Sequence, residues 1–231
     1  GEGLRIDGIR NLMWTQPFEI VANPDSLNVR MHSDERALRF EIARESDGGV
    51  CVEGELHVRD ADAPHEDERL DIAAVRARAS LIEPGLDEIY AGFERMGYLF
   101  GPSFRITRAR YRLAEGALCH LRLPEHLRAG LGEYGMHPAL LDAVLRSGLA
   151  IGAGEGGRPA VPIVPFALDA LEYRHALPEE CYVYVTRSRD GLSDSGPGVA
   201  VSGAEATVYK YDLIVVDADG LVLAKLRGFA G

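Results

Sequence analysis

The run Gly135-Met136-His137-Pro138-Ala139-Leu140-Leu141-Asp142-Ala143-Val144-Leu145-Arg146-Ser147-Gly148 constrains this chain more than any other stretch. It is the longest apolar helical run in the sequence. Leu141, Leu145 and Leu149 repeat at i, i+4 and i+8, with Leu140, Ala143 and Val144 beside them, so the apolar stripe covers most of a helix. Pro138 suits the first helical turn, where its missing N–H costs nothing. The fold must therefore wrap a helix in apolar surface. Yet Asp142 stands inside that helix, with Arg146 one turn later on the same side. A carboxylate on a buried helix is costly unless it is paired or used. Two readings stay open: a structural ion pair between Asp142 and Arg146, and a catalytic acid at the floor of a cleft.

Strands are the natural wrapping. Residues 4–14 are apolar and β-leaning, and residues 27–32, 38–42 and 50–58 alternate, the last after an Asp47-Gly48-Gly49 turn. Four antiparallel strands with one apolar face must bury it against something, and residues 1–60 contain no helical pattern to fill it. Residues 60–69 are acidic and without periodicity, as in a surface linker. Residues 71–81 suit a short surface element. Leu86, Ile89, Tyr90, Phe93 and Met96 share one helical face, which Gly97 ends. Strands are expected at 104–113, 117–123, 167–173, 181–187, 206–216 and 221–229. Residues 124–135 read as a loop, 152–159 as a glycine-rich connector without the Lys-Ser/Thr of a phosphate loop, and 191–203 as a mobile loop. Asp217-Ala218-Asp219-Gly220 turns the last strand pair.

Three motifs, in order, resemble those of polyketide synthase dehydratase domains. Gly97-Tyr98-Leu99-Phe100-Gly101-Pro102-Ser103-Phe104 resembles the family's Gly-Tyr-x-Tyr-Gly-Pro-x-Phe, His137-Pro138-Ala139-Leu140-Leu141-Asp142 its helix motif, and Val164-Pro165-Phe166 its Leu-Pro-Phe-x-Trp. The resemblance runs from about residue 4 to the end. It implies an α+β double hot dog: two antiparallel curved sheets, each wrapped around a central helix. The expected layout is an incomplete first half over residues 1–60, a linker over 61–83 and a second half over 84–231 around the Asp142 helix.

The resemblance also implies a site. Dehydration of a β-hydroxyacyl thioester needs a base for the α-proton and an acid for the departing hydroxyl. The family uses a His from the first half and an Asp from the second, and the motif puts Asp142 in the acid's place. The family's His-x-x-x-Gly-x-x-x-x-Pro motif fits none of His32, His57, His65, His120, His126, His137 and His175. The base-bearing segment is expected upstream of these residues, with divergence as the alternative. His137 lies five residues before Asp142, off its helical face, which suits a structural or tethering role better than a base. Arg146 stands where the family carries Gln or His, and an Asp paired to a guanidinium is a poor proton donor. Phe100 replaces a Tyr, and Leu168 a Trp.

The candidate site is therefore Asp142 as the acid, with Arg146, Tyr98, Phe100, Gly101, Pro102, His137, Pro165 and Phe166 around the substrate. Core packing is the plainer role for Tyr98, Phe100 and Phe104. Arg108, Arg110 and Arg112 alternate, so a regular strand would put them on one face, either solvated or docking an acidic carrier protein.

The bulk properties fit. The chain has 231 residues, 46% apolar and 26% charged, as in a soluble globular protein. A net charge of −11 argues against a general nucleic-acid surface. No run is long enough for a membrane helix, the N-terminal residues carry no signal-peptide core, and Cys51, Cys119 and Cys181 are spaced for neither metal nor obvious pairing. A cytoplasmic location follows. No zinc spacing, Gly-x-Ser-x-Gly elbow or dinucleotide fingerprint is present, so the domain is expected to bind no cofactor. Its substrate would ride on the phosphopantetheine of an acyl carrier protein, with neighbouring synthase domains as partners and a homodimer as the family's common state. Three functions are in view: a dehydratase, a relative that cyclises pyrans, isomerises double bonds or branches chains, and a non-catalytic module that docks a carrier.

Overall fold

A computed structural model describes residues 3–20, 25–33, 38–60, 66–81, 86–152, 164–188 and 210–231. The architecture is α+β. The strands are β1 (Leu4–Trp14), β2 (Leu27–Ser33), β3 (Leu38–Arg44), β4 (Val50–Asp60), β5 (Ser80–Leu81), β6 (Thr107–Leu113), β7 (Gly116–Arg122), β8 (Ala167–Tyr173), β9 (Glu180–Arg187), β10 (Lys210–Val216) and β11 (Val222–Ala230). The helices are α1 (Ile72–Ala77), α2 (Leu86–Arg95), α3 (Pro138–Arg146) and α4 (Leu149–Gly152). Of the expected elements, residues 206–209 of the tenth strand and the loop at 191–203 lie outside the described residues, as does nearly all of the glycine-rich connector.

The two expected sheets are one. Eleven strands follow the order β2-β3-β4-β1-β8-β11-β10-β9-β7-β6-β5. The halves join where β1 pairs antiparallel with β8, from Gly8 opposite Glu172 to Met13 opposite Ala167. Glycine is needed at that seam, because a Cβ on Gly8 would meet the Leu171 carbonyl oxygen at 2.5 Å. The β10–β11 hairpin also matches its sequence: Gly220 takes φ +80, and Asp217 accepts from the Asp219 and Leu221 N–H groups.

The second half closes around α3. Leu140, Ala143 and Val144 are fully buried on it. They share a core with Cys119 and Leu121 of β7, Val183 and Val185 of β9 and Leu213 of β10. His137 caps the helix, its Nδ1 accepting the Ala139 N–H at 3.2 Å. The residues expected as a loop at 124–135 instead wind into a 3₁₀ helix, Glu125–Glu133, entered from Pro124 with φ −58. Leu127 and Leu131, four apart, pack its inner side on the core, a contact too local and too short to register as a helical period.

The expected linker is also more than a link. Residues 61–65 lie outside the described set, but residues 66–70 run along β11: Val222 donates to Glu68 O at 2.9 Å and Leu70 to Gly220 O at 2.8 Å. The Glu68 carboxylate lies between Lys225 and Arg174, and these, Lys225 foremost, hold it below the usual carboxylate range. α1 then buries Ile72 and Val75 against Leu118, Tyr182 and Val216, forming a second small core on the opposite face of the sheet. Surface charge marked this segment as a linker; its short apolar pair docks it.

The first half is different. Ladder partners share a face, and β2, β3, β4 and β1 align Val29, Ile42, Val52 and Trp14 on one face. Met31 and Phe40 lie beside them. Phe40 and Leu12 join the main core, but Val29 is 66% exposed and Met31 55%. Among the described residues no helix covers this end. No helix among them is long and apolar enough to cross a membrane either.

Candidate active site

The site lies where α3 meets the aromatic end of α2. Ile89, Tyr90 and Phe93 of α2 form a third cluster with Met96, Tyr98, Phe100 and Leu149. The chain leaves α2 at Gly97, whose φ of +89 suits glycine, and turns back through Tyr98 and Phe100. Those two rings stack 5.9 Å apart, and Phe93 meets Phe100 edge-on at 5.2 Å. Gly101 and Pro102 then start a single 3₁₀ turn, Pro102–Phe104. Tyr90 fixes its far side, donating its hydroxyl proton to Phe104 O at 3.3 Å and accepting the Thr107 N–H at 3.1 Å.

Arg146 joins this aromatic loop to α3. Its Nε donates to Asp142 Oδ2 at 2.7 Å, and its Nη2 donates to Phe104 O at 2.9 Å. The guanidinium carbon sits 4.2 Å from the Phe100 ring centre and 5.7 Å from that of Phe93, so two ring faces share its charge. The arginine side chain is only 10% exposed, whereas Asp142 is 38% exposed. Nη1 is enclosed and has no hydrogen-bond partner among the described residues. Among the described residues Asp142 is engaged through Oδ2 alone, which leaves Oδ1 open. The two sequence readings of this pair are therefore compatible: the pair exists, and one carboxylate oxygen remains available.

Beside the pair lies a cavity of about 170 Å³. Asp142, Arg146, Tyr98, Phe100 and Pro165 all line it, so five of the candidate residues converge. Its other walls are apolar, with Phe93, Leu145, Leu149, Tyr211 and Phe229 among them. Those five escaped the sequence reading because helical and strand periodicity marks them only as buried. The expected deep burial of Asp142 is corrected: the carboxylate is half-exposed at the cavity wall, because α3 turns its Leu140 and Val144 side inward.

The remaining candidates shape the site from outside the lining. His137 does not line the cavity; its ring is turned back to cap α3 and meets Tyr134 edge-on at 5.2 Å. Gly101 and Pro102 set the turn that presents the Phe104 carbonyl. Phe166 accepts the Trp14 N–H at 3.0 Å and donates to Ala230 O at 3.1 Å, and so fixes Pro165 against the cavity. Two of the three arginines of β6, Arg110 and Arg112, share one face of the ladder. Arg108 falls at the register shift between Thr107 and Ala109. Arg110 and Arg112 lie opposite Cys119 and Ala117, on the core side of the ladder, and Arg110 is half-buried there. Among the described residues no cluster of three or more His, Cys, Asp or Glu could hold a metal.

Known proteins resemble the chain over nearly all of it. A family model described as the polyketide synthase dehydratase N-terminal domain matches residues 69–230. Polyketide synthase PksN of Bacillus subtilis is 26% identical over 98% of this chain, and PksM of the same organism is 21% identical over 97%. The chain spans only 4% and 5% of those proteins. Among solved structures, a trans-AT polyketide synthase dehydratase domain from Brevibacillus brevis superposes with a TM-score of 0.81 at 22% identity, covering 99% of this chain and 75% of that one. The dehydratase domain from the CurJ module of the curacin polyketide synthase superposes at 0.78 and 20% identity, covering 97% and 74%. At such identities these likenesses bear on the fold, which is the double hot dog.

Proposed function

The chain belongs to the polyketide synthase dehydratase family, and on that premise we propose that it is the greater part of a dehydratase domain of a modular polyketide synthase. The proposed reaction removes water from a β-hydroxyacyl thioester carried by an acyl carrier protein. One observation supports this reading above the rest: the half-exposed Asp142, with one oxygen open, on the wall of an otherwise apolar cavity. In the elimination, a base takes the α-proton, the α,β double bond forms, and the β C–O bond breaks as Asp142 gives its proton to the leaving hydroxyl. Within this proposal the base is assigned to no residue of this chain, since no histidine here has the family's spacing. Arg146 fixes the rotamer of the carboxylate, beside walls that are otherwise apolar. The acyl carrier protein and the neighbouring synthase domains are partners within this proposal, and a homodimer its assembly.

The test is to incubate the domain in its full synthase module with a β-hydroxyacyl carrier-protein thioester and follow the acyl chain by intact mass. Loss of one water, abolished in Asp142→Asn, is the expected result. Unchanged substrate with a folded protein would overturn dehydration. The Arg146–Asp142 pair gives a second reading its support, in which the domain does not dehydrate but adds an internal hydroxyl of the acyl chain across a double bond. An α,β-unsaturated thioester carrying an internal hydroxyl would then cyclise, the hydroxyl oxygen bonding to the β carbon as the double bond breaks and a proton reaches the α carbon, without change of mass and detected as a shift in retention.

A further inference from the structure

We propose that Asp212 is a positioning residue for the cavity: it latches a one-residue bulge in β11 that turns Phe229 inward, and so limits the length of acyl chain the cavity accepts. The inference rests on the acyl-binding reading above. The observation that carries it is a break in parity. On a regular strand, residues an odd number apart face opposite sides. Leu226 and Phe229 are three apart, yet both are buried in the main core. Their β10 partners, Leu213 and Tyr211, are two apart and share that core, as a regular strand requires. Between these pairs β11 therefore holds one residue more than β10, and Arg227 and Gly228 stand against Asp212 alone. An unbroken ladder would put Gly228 opposite Tyr211 and turn the Phe229 ring out of the core.

Side chains on both neighbouring strands hold the bulge. The register gives Gly228 no partner on β10, and its N–H is accepted instead by Asp212 Oδ1 at 2.8 Å. Gly228 takes φ +62, which suits glycine, and a Cβ there would run into the Asp169 carboxylate. Lys210 of β10 holds that carboxylate at 3.3 Å. On its other side β11 meets a strand with the same break: Leu168 and Leu171 of β8, also three apart, are both buried. The mismatch therefore falls between β11 and β10, where Asp212 stands. Its effect is felt in the cavity. Phe229 and Tyr211 line the cavity that Asp142 borders, and Asp212 does not, so Asp212 acts on it through Phe229. With Phe229 turned out, a glycine would take its place and the cavity would deepen.

The experiment has two readouts on the full domain. Trp14 meets the Phe229 ring edge-on at 6.5 Å, so the resonance of a fluorinated tryptophan there, assigned by its loss in Trp14→Phe, reports where that ring points. Calorimetry with octanoyl and dodecanoyl pantetheine reads chain length. The native protein should bind octanoyl about tenfold more tightly than dodecanoyl. Asp212→Leu removes the acceptor; it should move the Trp14 resonance and bring dodecanoyl level with octanoyl, as Phe229→Ala should. Asp212→Asn keeps an acceptor and should match the native protein in both readouts. An unmoved resonance in Asp212→Leu overturns the latch, and so does an Asp212→Asn protein that loses the native resonance. An equal loss of both probes in Asp212→Leu would make Asp212 a structural residue only. A Phe229→Ala protein that still rejects dodecanoyl overturns the selection without recourse to any change at Asp212. Binding of neither probe by the native protein or by Phe229→Ala would remove the acyl-binding reading, while the Trp14 resonance still judges the latch, so the two failures are told apart.

Discussion

The two halves of the sheet carry the same pattern and meet different fates. Val183 of β9 and Val29 of β2 are both valines on strands that present an apolar face. The first is fully buried under α3 and the second is two-thirds exposed. Alternation thus specifies a strand with one apolar face, but not what lies on that face. The second half contains its covering helix, capped by His137 and clasped through Arg146 to the aromatic loop. The first half borrows part of the same core through Leu12 and Phe40 and leaves its outer end, at β2, to solvent.

The comparison can be broken most sharply at α3. Leu140→Ala removes a fully buried side chain from the centre of the second half. It should cost about 2–5 kcal/mol, read as a shift in the urea midpoint. A loss below about 1 kcal/mol would mean that α3 is not the element around which that half packs.

A smaller effect separates the halves by their opening. Cys51 lies on β4, Cys119 on β7 and Cys181 on β9, and all three thiols are buried. Burial pushes the Cys119 thiol up to about 11 and that of Cys181 to about 12, so labelling at mildly alkaline pH must wait for the strands to open. Cys51 should label roughly tenfold faster than the other two, because fewer buried contacts hold its half closed. Equal rates, followed by peptide mapping, would show that the seam at Gly8 makes the whole sheet open as one unit.

The smallest expected effect is at the open end. Val29→Ser with Met31→Ser should change the stability of this chain by no more than about 0.5 kcal/mol, since both side chains already face water. The same pair placed in the full synthase module gives the informative contrast. A clear loss of stability there would show that another part of the protein covers this face.

The site was legible in part. Asp142 stood out because a charge inside an apolar helical stripe is a local anomaly, and Arg146 because i and i+4 share a side. Tyr98, Phe100 and Pro165 came through motif resemblance, and all three reach the cavity. His137, Gly101, Pro102 and Phe166 came the same way and act at one remove, as a cap, a turn and a strand start. A motif records that a position matters without recording whether its side chain faces the ligand or the backbone.

Periodicity alone determined most of the strands, the course of α2 and α3 and the glycine turn at Gly220, because each depends on neighbours within a few residues along the chain. The tertiary structure decided the rest. It merged two sheets into one at the β1–β8 seam, docked the acidic segment on β11 and brought Phe93, Tyr211 and Phe229 to the Asp142 wall. It also gave Arg146 its hold on the Phe104 carbonyl and the Phe100 ring. Those contacts join residues far apart in sequence through strand register and side-chain packing, which leave no local pattern to read.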